Sequence, residues 1–152
     1  MKVLVLGATG MAGHTIVLYF KEQGHEVTAF SRNPFPICKW IQGDAFDAEH
    51  LRTVIVDGDY DVVINCIGLL NQFAESAPEK AVYINSYLPH RIVAWLKNKR
   101  TRFIQVSTDC IFAGNTGPYT ENSFPDGRSY YDRTKALGEV NDKKNLTFRN
   151  SI

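Results

Sequence analysis

Val3-Leu4-Val5-Leu6-Gly7-Ala8-Thr9-Gly10-Met11-Ala12-Gly13 is an apolar tetrapeptide that runs directly into three glycines at every third position. The apolar run reads as a buried strand. Ile16, Val17 and Phe20 behind the glycines repeat at helical spacing. A strand, a glycine turn and a helix together form a receptor for a dinucleotide pyrophosphate. The glycines let the backbone turn sharply and approach the phosphates, and the helix start offers unpaired N–H groups and a positive dipole end. Gly7, Thr9, Gly10, Met11 and Gly13 are therefore candidate cofactor-binding residues. The spacing is G-x-x-G-x-x-G rather than the commoner G-x-G-x-x-G, so a different loop geometry is expected.

Strand and helix patterns alternate outward from this stretch, as in a parallel α/β sheet. Strands are expected over 3–6, 26–30, 38–41, 61–66, 102–107 and 146–152. Helices are expected over 11–23 (closed by Gly24), 48–56, 78–99 with a kink or break near Pro89, and from about Ser129. Ser129 and Asp132 have capping-box spacing. The order predicts one Rossmann-type domain over 1–152, a doubly wound parallel sheet of strand order 3-2-1-4-5-6 with helices on both faces. Ligands then sit at the carboxyl ends of strands one and four, which adds Cys66, Ile67 and Gly68 to the candidate cofactor site.

The end of strand two reads Phe30-Ser31-Arg32-Asn33, without the acidic residue that usually bonds the adenosine ribose in NAD sites. Ser31 can donate to a 2′-phosphate and Arg32 can pair with it, so NADP (as NADPH) is preferred over NAD, with NAD kept open. Asp44 after strand three either faces the adenine amino group or caps the next helix, and Ala45 is counted with it.

Tyr131 and Lys135 stand at i and i+4, on one helix face. A free phenol titrates near pH 10, and a neighbouring ammonium is expected to lower that value until the phenol exchanges protons at neutral pH. Ser107-Thr108-Asp109 closes strand five, which brings the Thr108 hydroxyl to the same mouth. Thr108, Tyr131 and Lys135 are the candidate catalytic residues.

With these residues in view, the sequence resembles the extended short-chain dehydrogenase/reductases. More narrowly, Ser107-Thr108-Asp109-Cys110-Ile111-Phe112-Ala113-Gly114, Pro118-Tyr119-Thr120-Glu121 and Tyr131-Asp132-Arg133-Thr134-Lys135-Ala136-Leu137-Gly138-Glu139 resemble signatures of the dTDP-4-dehydrorhamnose reductases. The resemblance implies hydride transfer from NADPH to the 4-keto carbon of a nucleotide-linked deoxysugar. It gives Tyr131 the role of proton donor and Lys135 that of holding the nicotinamide ribose. Cys110 stands where the family has Tyr, Asp132 where it has Gly, and Asn65-Cys66-Ile67-Gly68 replaces a more alanine-rich turn. A dehydratase would carry Thr-Asp-Glu, which Thr108-Asp109-Cys110 lacks. Family members continue into a substrate-binding part, so this chain is expected to carry a cofactor site and little substrate site, without turnover alone. Two alternatives remain open: an NAD-dependent sugar-nucleotide epimerase, and a non-catalytic nucleotide-binding regulatory subunit.

Composition excludes other classes. The formal net charge is +1 and 22% of residues are charged, which argues against nucleic acid or an anionic membrane as partner. Strand-like sequence from Lys2 and the lack of a long apolar run point to a cytoplasmic protein without a signal peptide. The three cysteines, Cys38, Cys66 and Cys110, read as reduced thiols. The expected partner is a nucleotide-sugar, with a second copy of the chain as an open alternative. His14, His25, His50 and His90 have no metal-ligand spacing, and no metal is expected. Asn85 reads as a structural residue bonding neighbouring backbone, and Tyr83, Tyr87 and Trp95 as core.

Overall fold

Val3, Leu4, Val5 and Leu6 have no exposed surface at all. An unbroken apolar strand with both faces covered belongs in the middle of a parallel sheet. The computed structural model describes residues 1–151. Its strands are β1 (Lys2–Leu6), β2 (Glu26–Ser31), β3 (Lys39–Gln42), β4 (Val62–Asn65), β5 (Arg102–Thr108) and β6 (Leu146–Asn150). They form one sheet of order β3-β2-β1-β4-β5-β6, parallel throughout. The helices are α1 (Met11–Glu22), α2 (Ala48–Asp57), α3 (Asn71–Ser76), α4 (Pro78–Ala81), α5 (Leu88–Trp95) and α6 (Tyr130–Leu137). The architecture is the expected α/β doubly wound Rossmann-type sheet.

Alternate side chains of the central strands feed two cores. Leu4, Leu6, Val63 and Phe103 pack with Leu51 and Ile55 of α2 and with Leu88 and Ile92 of α5. Val3, Val5, Val27, Ala29 and Ile64 pack with Val17 of α1 on the opposite face. There α1 is the only helix among the described residues. Beside it runs an apolar groove of about 500 Å³, walled by Ile16 and Phe20 of α1 and floored by Ile64, Ile104, Val106 and Phe148.

The element ends mostly differ from the sequence reading by one residue; β6 stops at Asn150, and Ile152 lies outside the described residues. The helical stretch expected over 78–99 differs more. It begins at Pro78, opens into a π-helical turn at Val82–Tyr87, resumes as α5 and ends at Trp95. Pro89 is the second residue of α5, and its ring would crowd the carbonyl of Asn85 in a regular helix. Widening the turn just before it relieves that crowding. Tyr83 and Trp95 pack at the margin of the core, whereas Tyr87 is about half exposed and does not belong to it. Helix α3 has no counterpart in the sequence reading.

The π turn also sets how closely α6 can dock. A Cβ on Gly138, which caps α6, would lie 1.8 Å from the Asn85 carbonyl oxygen. Gly138→Ala must therefore push α6 off the turn. We expect a loss of about 1–3 kcal/mol, read as a lowered midpoint in urea denaturation with an unchanged slope; an unaltered midpoint would show that the approach is not tight.

Candidate active site

The carboxyl ends of β1 and β4 open into a cleft of about 240 Å³. Its floor is the glycine turn. Gly7 takes φ +79, a left-handed conformation that suits glycine, and a Cβ there would lie 3.0 Å from Ile67 Cγ1. Gly10 N donates to Gly7 O at 3.0 Å and Gly10 becomes the N-cap of α1. No side chain caps this helix and its first turn holds no acidic residue. The first N–H groups of α1 and its dipole are thus left for an anion.

Thr9 and Gly10 line the cleft with Gly7. Gly13 does not; a Cβ there would lie 2.3 Å from Gly7 O, so its absence of side chain serves helix-on-strand packing. Met11 is exposed and lines the groove on the other side of α1.

The far wall of the cleft comes from β2 and β3. Arg32, Asp44 and Ala45 line it with Phe46, whose ring stacks on Tyr83 at 5.2 Å. Ser31 also lines the cleft but is 4% exposed, and its hydroxyl is already engaged. It donates to Asn33 O at 2.8 Å and accepts from Trp40 Nε1 at 3.0 Å. Arg32 is left as the strand-end group with an uncommitted guanidinium among the described residues. Asp44 accepts from the Phe46 backbone at 3.0 Å, while Asp47 caps α2 by accepting from His50 N at 3.0 Å. Of the two roles open to Asp44, capping belongs to its neighbour.

Cys66, Ile67 and Gly68 form the near wall. Asn65, fully buried, shapes this turn by accepting from Ile67 N at 3.1 Å while donating to Gln105 at 2.9 Å. Asn85, on the π turn, then fixes Leu69 by both backbone groups, at 2.8 and 2.9 Å, and donates to Thr134 Oγ1 at 3.1 Å. The sequence assigns Asn85 structural work, and the contacts are of that kind. They also join the cleft wall to the helix of Tyr131 and Lys135, which spacing alone does not reveal.

Thr108 is the last residue of β5, and its hydroxyl accepts from Cys110 N at 3.2 Å. Tyr131 and Lys135 lie on the buried side of α6. The helix starts where Ser129 and Asp132 form the expected capping box, with both reciprocal bonds at 3.0 Å. Lys135 Nζ donates to Val106 O at 2.7 Å, and a Cβ on Gly68 would lie 3.9 Å from that nitrogen. The ammonium therefore abuts the cleft's near wall.

Burial sets the protonation of this corner. It lowers the Lys135 ammonium to about 8, against the opposing pull of Cys66 and Glu139. It pushes the Cys66 thiol up to about 12, opposed by Lys135. Burial also raises the Tyr131 phenol; the Thr108 hydroxyl opposes the rise, and Cys110, Asp132 and Asp109 add to it. The expectation that Lys135 lowers the Tyr131 pKa is corrected here. Desolvation dominates, and the ammonium is directed at a carbonyl instead.

Glu139 and Glu121, both in the signature stretches, do structural work. Glu139 grips Arg149 of β6 bidentately at 2.8 and 2.7 Å, and Arg149 also donates to Glu121 O at 3.1 Å. The guanidinium lies 5.3 Å over Phe112, whose ring stacks on Tyr119. All three cysteines are free, no helix is long and apolar enough to cross a membrane, and no metal-ligating cluster occurs among the described residues.

The chain is similar to several known proteins. A probable low-salt glycan biosynthesis reductase, Agl14, from Haloferax volcanii is 35% identical over 91% of this chain and 48% of its own length. The methionine adenosyltransferase 2 subunit beta of Xenopus tropicalis is 30% identical over 91% of this chain and 41% of its own. A hypothetical dTDP-4-dehydrorhamnose reductase from Sulfolobus tokodaii superposes with a TM-score of 0.88 at 30% identity, covering 99% of this chain and 56% of that one. The chain spans about half the length of the curated relatives it matches. The profile described as RmlD substrate binding domain matches residues 1–149, and the chain belongs to that family.

Proposed function

We propose that this chain is the cofactor-binding half of an NADPH-dependent reductase acting on a nucleotide-linked 4-keto-deoxysugar. The observation that carries the reading is the meeting of the glycine cleft with Lys135 at Gly68, one helical turn from Tyr131 and its neighbour Thr108. The residues fit a dinucleotide. The uncapped start of α1 suits a pyrophosphate, the side-chain-free surface at Gly7 and Gly10 admits it closely, and Arg32 suits a 2′-phosphate. When bound, NADPH supplies a hydride to the keto carbon. Thr108, whose hydroxyl donates to Asp109 Oδ1 at 3.3 Å, would turn that proton to the reacting oxygen, and Tyr131 would give the oxygen its proton as negative charge develops. A phenol whose pKa is raised stays protonated at neutral pH, the state an acid in the reducing direction requires. Lys135, with its charged form retained below about pH 8, holds the ribose next to the site.

The likeness to the methionine adenosyltransferase subunit favours a second reading, a nucleotide-binding regulatory subunit. Thr108, Tyr131 and Lys135 stand together in one corner, which supports the enzyme over the regulator.

Calorimetric titration with NADPH and NADH tests the cofactor assignment. We expect NADPH to bind more tightly, with Arg32→Ala removing about 10- to 100-fold of affinity for NADPH and little for NADH. Equal affinities in the unaltered chain would refute the preference. The charge on Lys135 gives a pH signature. Because burial favours the neutral amine, the ammonium loses its proton as pH rises through about 8. NADPH affinity should be flat below about pH 7, drop roughly twofold by about pH 8 and fall by up to about tenfold per pH unit above it. Lys135→Met should bind more weakly with no such fall, and a fall that persists in this variant would assign it to another group.

A further inference from the structure

Helix α6 carries two kinds of cap at its start, and they do different things. The Ser129–Asp132 box satisfies the Ser129 and Asp132 N–H groups from within the same four residues. It fixes where the helix begins but not where the helix lies. The Tyr130 N–H is satisfied from far along the chain, by Glu75 Oε1 of α3 at 2.7 Å. The carboxylate there also meets the positive end of the helix dipole. Its neighbour Ala74 is fully buried and forms a small cluster with Ala81 and the Tyr131 ring, flanked by Leu69.

Helix α3 therefore holds the residue before Tyr131 by the backbone and floors the ring of Tyr131 itself. The same segment begins at the cleft. Cys66, Ile67 and Gly68 line it, Leu69 is clamped by Asn85, and α3 starts two residues later at Asn71, whose φ is +30.

We propose that Glu75 is a positioning residue for Tyr131, setting the seat of the phenol through the Tyr130 N–H and tying it to the wall of the cofactor cleft. Its bearing on catalysis rests on the reading of Tyr131 as proton donor; the positioning itself does not. Glu75 acts as a hydrogen-bond acceptor of a particular reach. An amide of equal length can replace it, and a shorter carboxylate or a methyl group cannot.

The test is a pH titration of the chain labelled with 13Cζ-tyrosine, followed by NMR, with Tyr131→Phe assigning the resonance among the seven tyrosines. In Glu75→Ala the ring should leave its bed and gain water, and the Tyr131 titration should move down by about half a pH unit or more. Glu75→Gln should titrate as the unaltered chain does, and Glu75→Asp should follow Glu75→Ala. The other tyrosine resonances report whether each variant is folded. An unchanged Tyr131 titration in Glu75→Ala would overturn the proposal. A shift in Glu75→Gln as large as in Glu75→Ala would also overturn it, because charge rather than reach would then be at work. Adding NADPH separates this from the functional reading. A Tyr131 resonance that ignores NADPH in the unaltered chain would count against the cofactor site, while the titrations of the free variants would still decide the role of Glu75.

Discussion

The docking of one polar helix holds the site together. The buried side of α6 is Tyr131, Thr134 and Lys135, and none of them is aliphatic. Such a helix cannot be fixed by burial of apolar surface alone, so hydrogen bonds do the fixing. Glu75 takes the Tyr130 N–H, Asn85 bonds the Thr134 hydroxyl, Ser86 donates to Thr134 O at 2.8 Å and His90 Nε2 donates to Leu137 O at 2.7 Å. Directional bonds specify one position and one rotation where a greasy contact would allow several. All four partners come from the segment 75–90, and Gly138 lets that segment come close enough.

The parallel sheet supplies the other half of the arrangement. Its winding reverses between β1 and β4, and the two strand ends part there into a cleft. β1 delivers the glycine turn to that cleft, β4 delivers Cys66–Gly68, and β5 ends on Thr108 one strand further along. Two segments far apart in sequence thus line one cleft, and Lys135 Nζ, bonded to Val106 O and close to Gly68, links β5 to it.

How far this can be read from the chain depends on the range of the force responsible. The apolar run at Val3–Leu6, the glycine spacing and the capping box at Ser129 are local signals, and the strand order, the cleft and the start of α6 follow from them. The π turn is not local. It arises where Pro89 meets a helix that must also turn Asn85 and Ser86 toward α6; the proline marks the break, but spacing alone puts Tyr87 in the core. Helix α3 is short and nearly without aliphatic residues, and its buried Ala74 is covered by Tyr131, a contact from far along the chain that local pattern does not display. An i,i+4 ammonium suggests a lowered Tyr131 pKa, but burial, which a sequence does not display, outweighs that neighbour. Ser31 shows the same limit; its residue type suits a phosphate, yet Trp40 and Asn33 already hold its hydroxyl.

The groove beside α1 has a thermal consequence. The heat-capacity change of unfolding follows the apolar surface that becomes wet, at about 12–15 cal/mol/K per residue in ordinary domains. Ile104, Val106 and Phe148 of the groove already meet water in the folded chain, so that part of the sheet adds little when the chain unfolds. The stability of this chain should consequently curve less with temperature than that of a sheet of equal size covered on both faces, losing less on cooling as well as on heating away from its optimum.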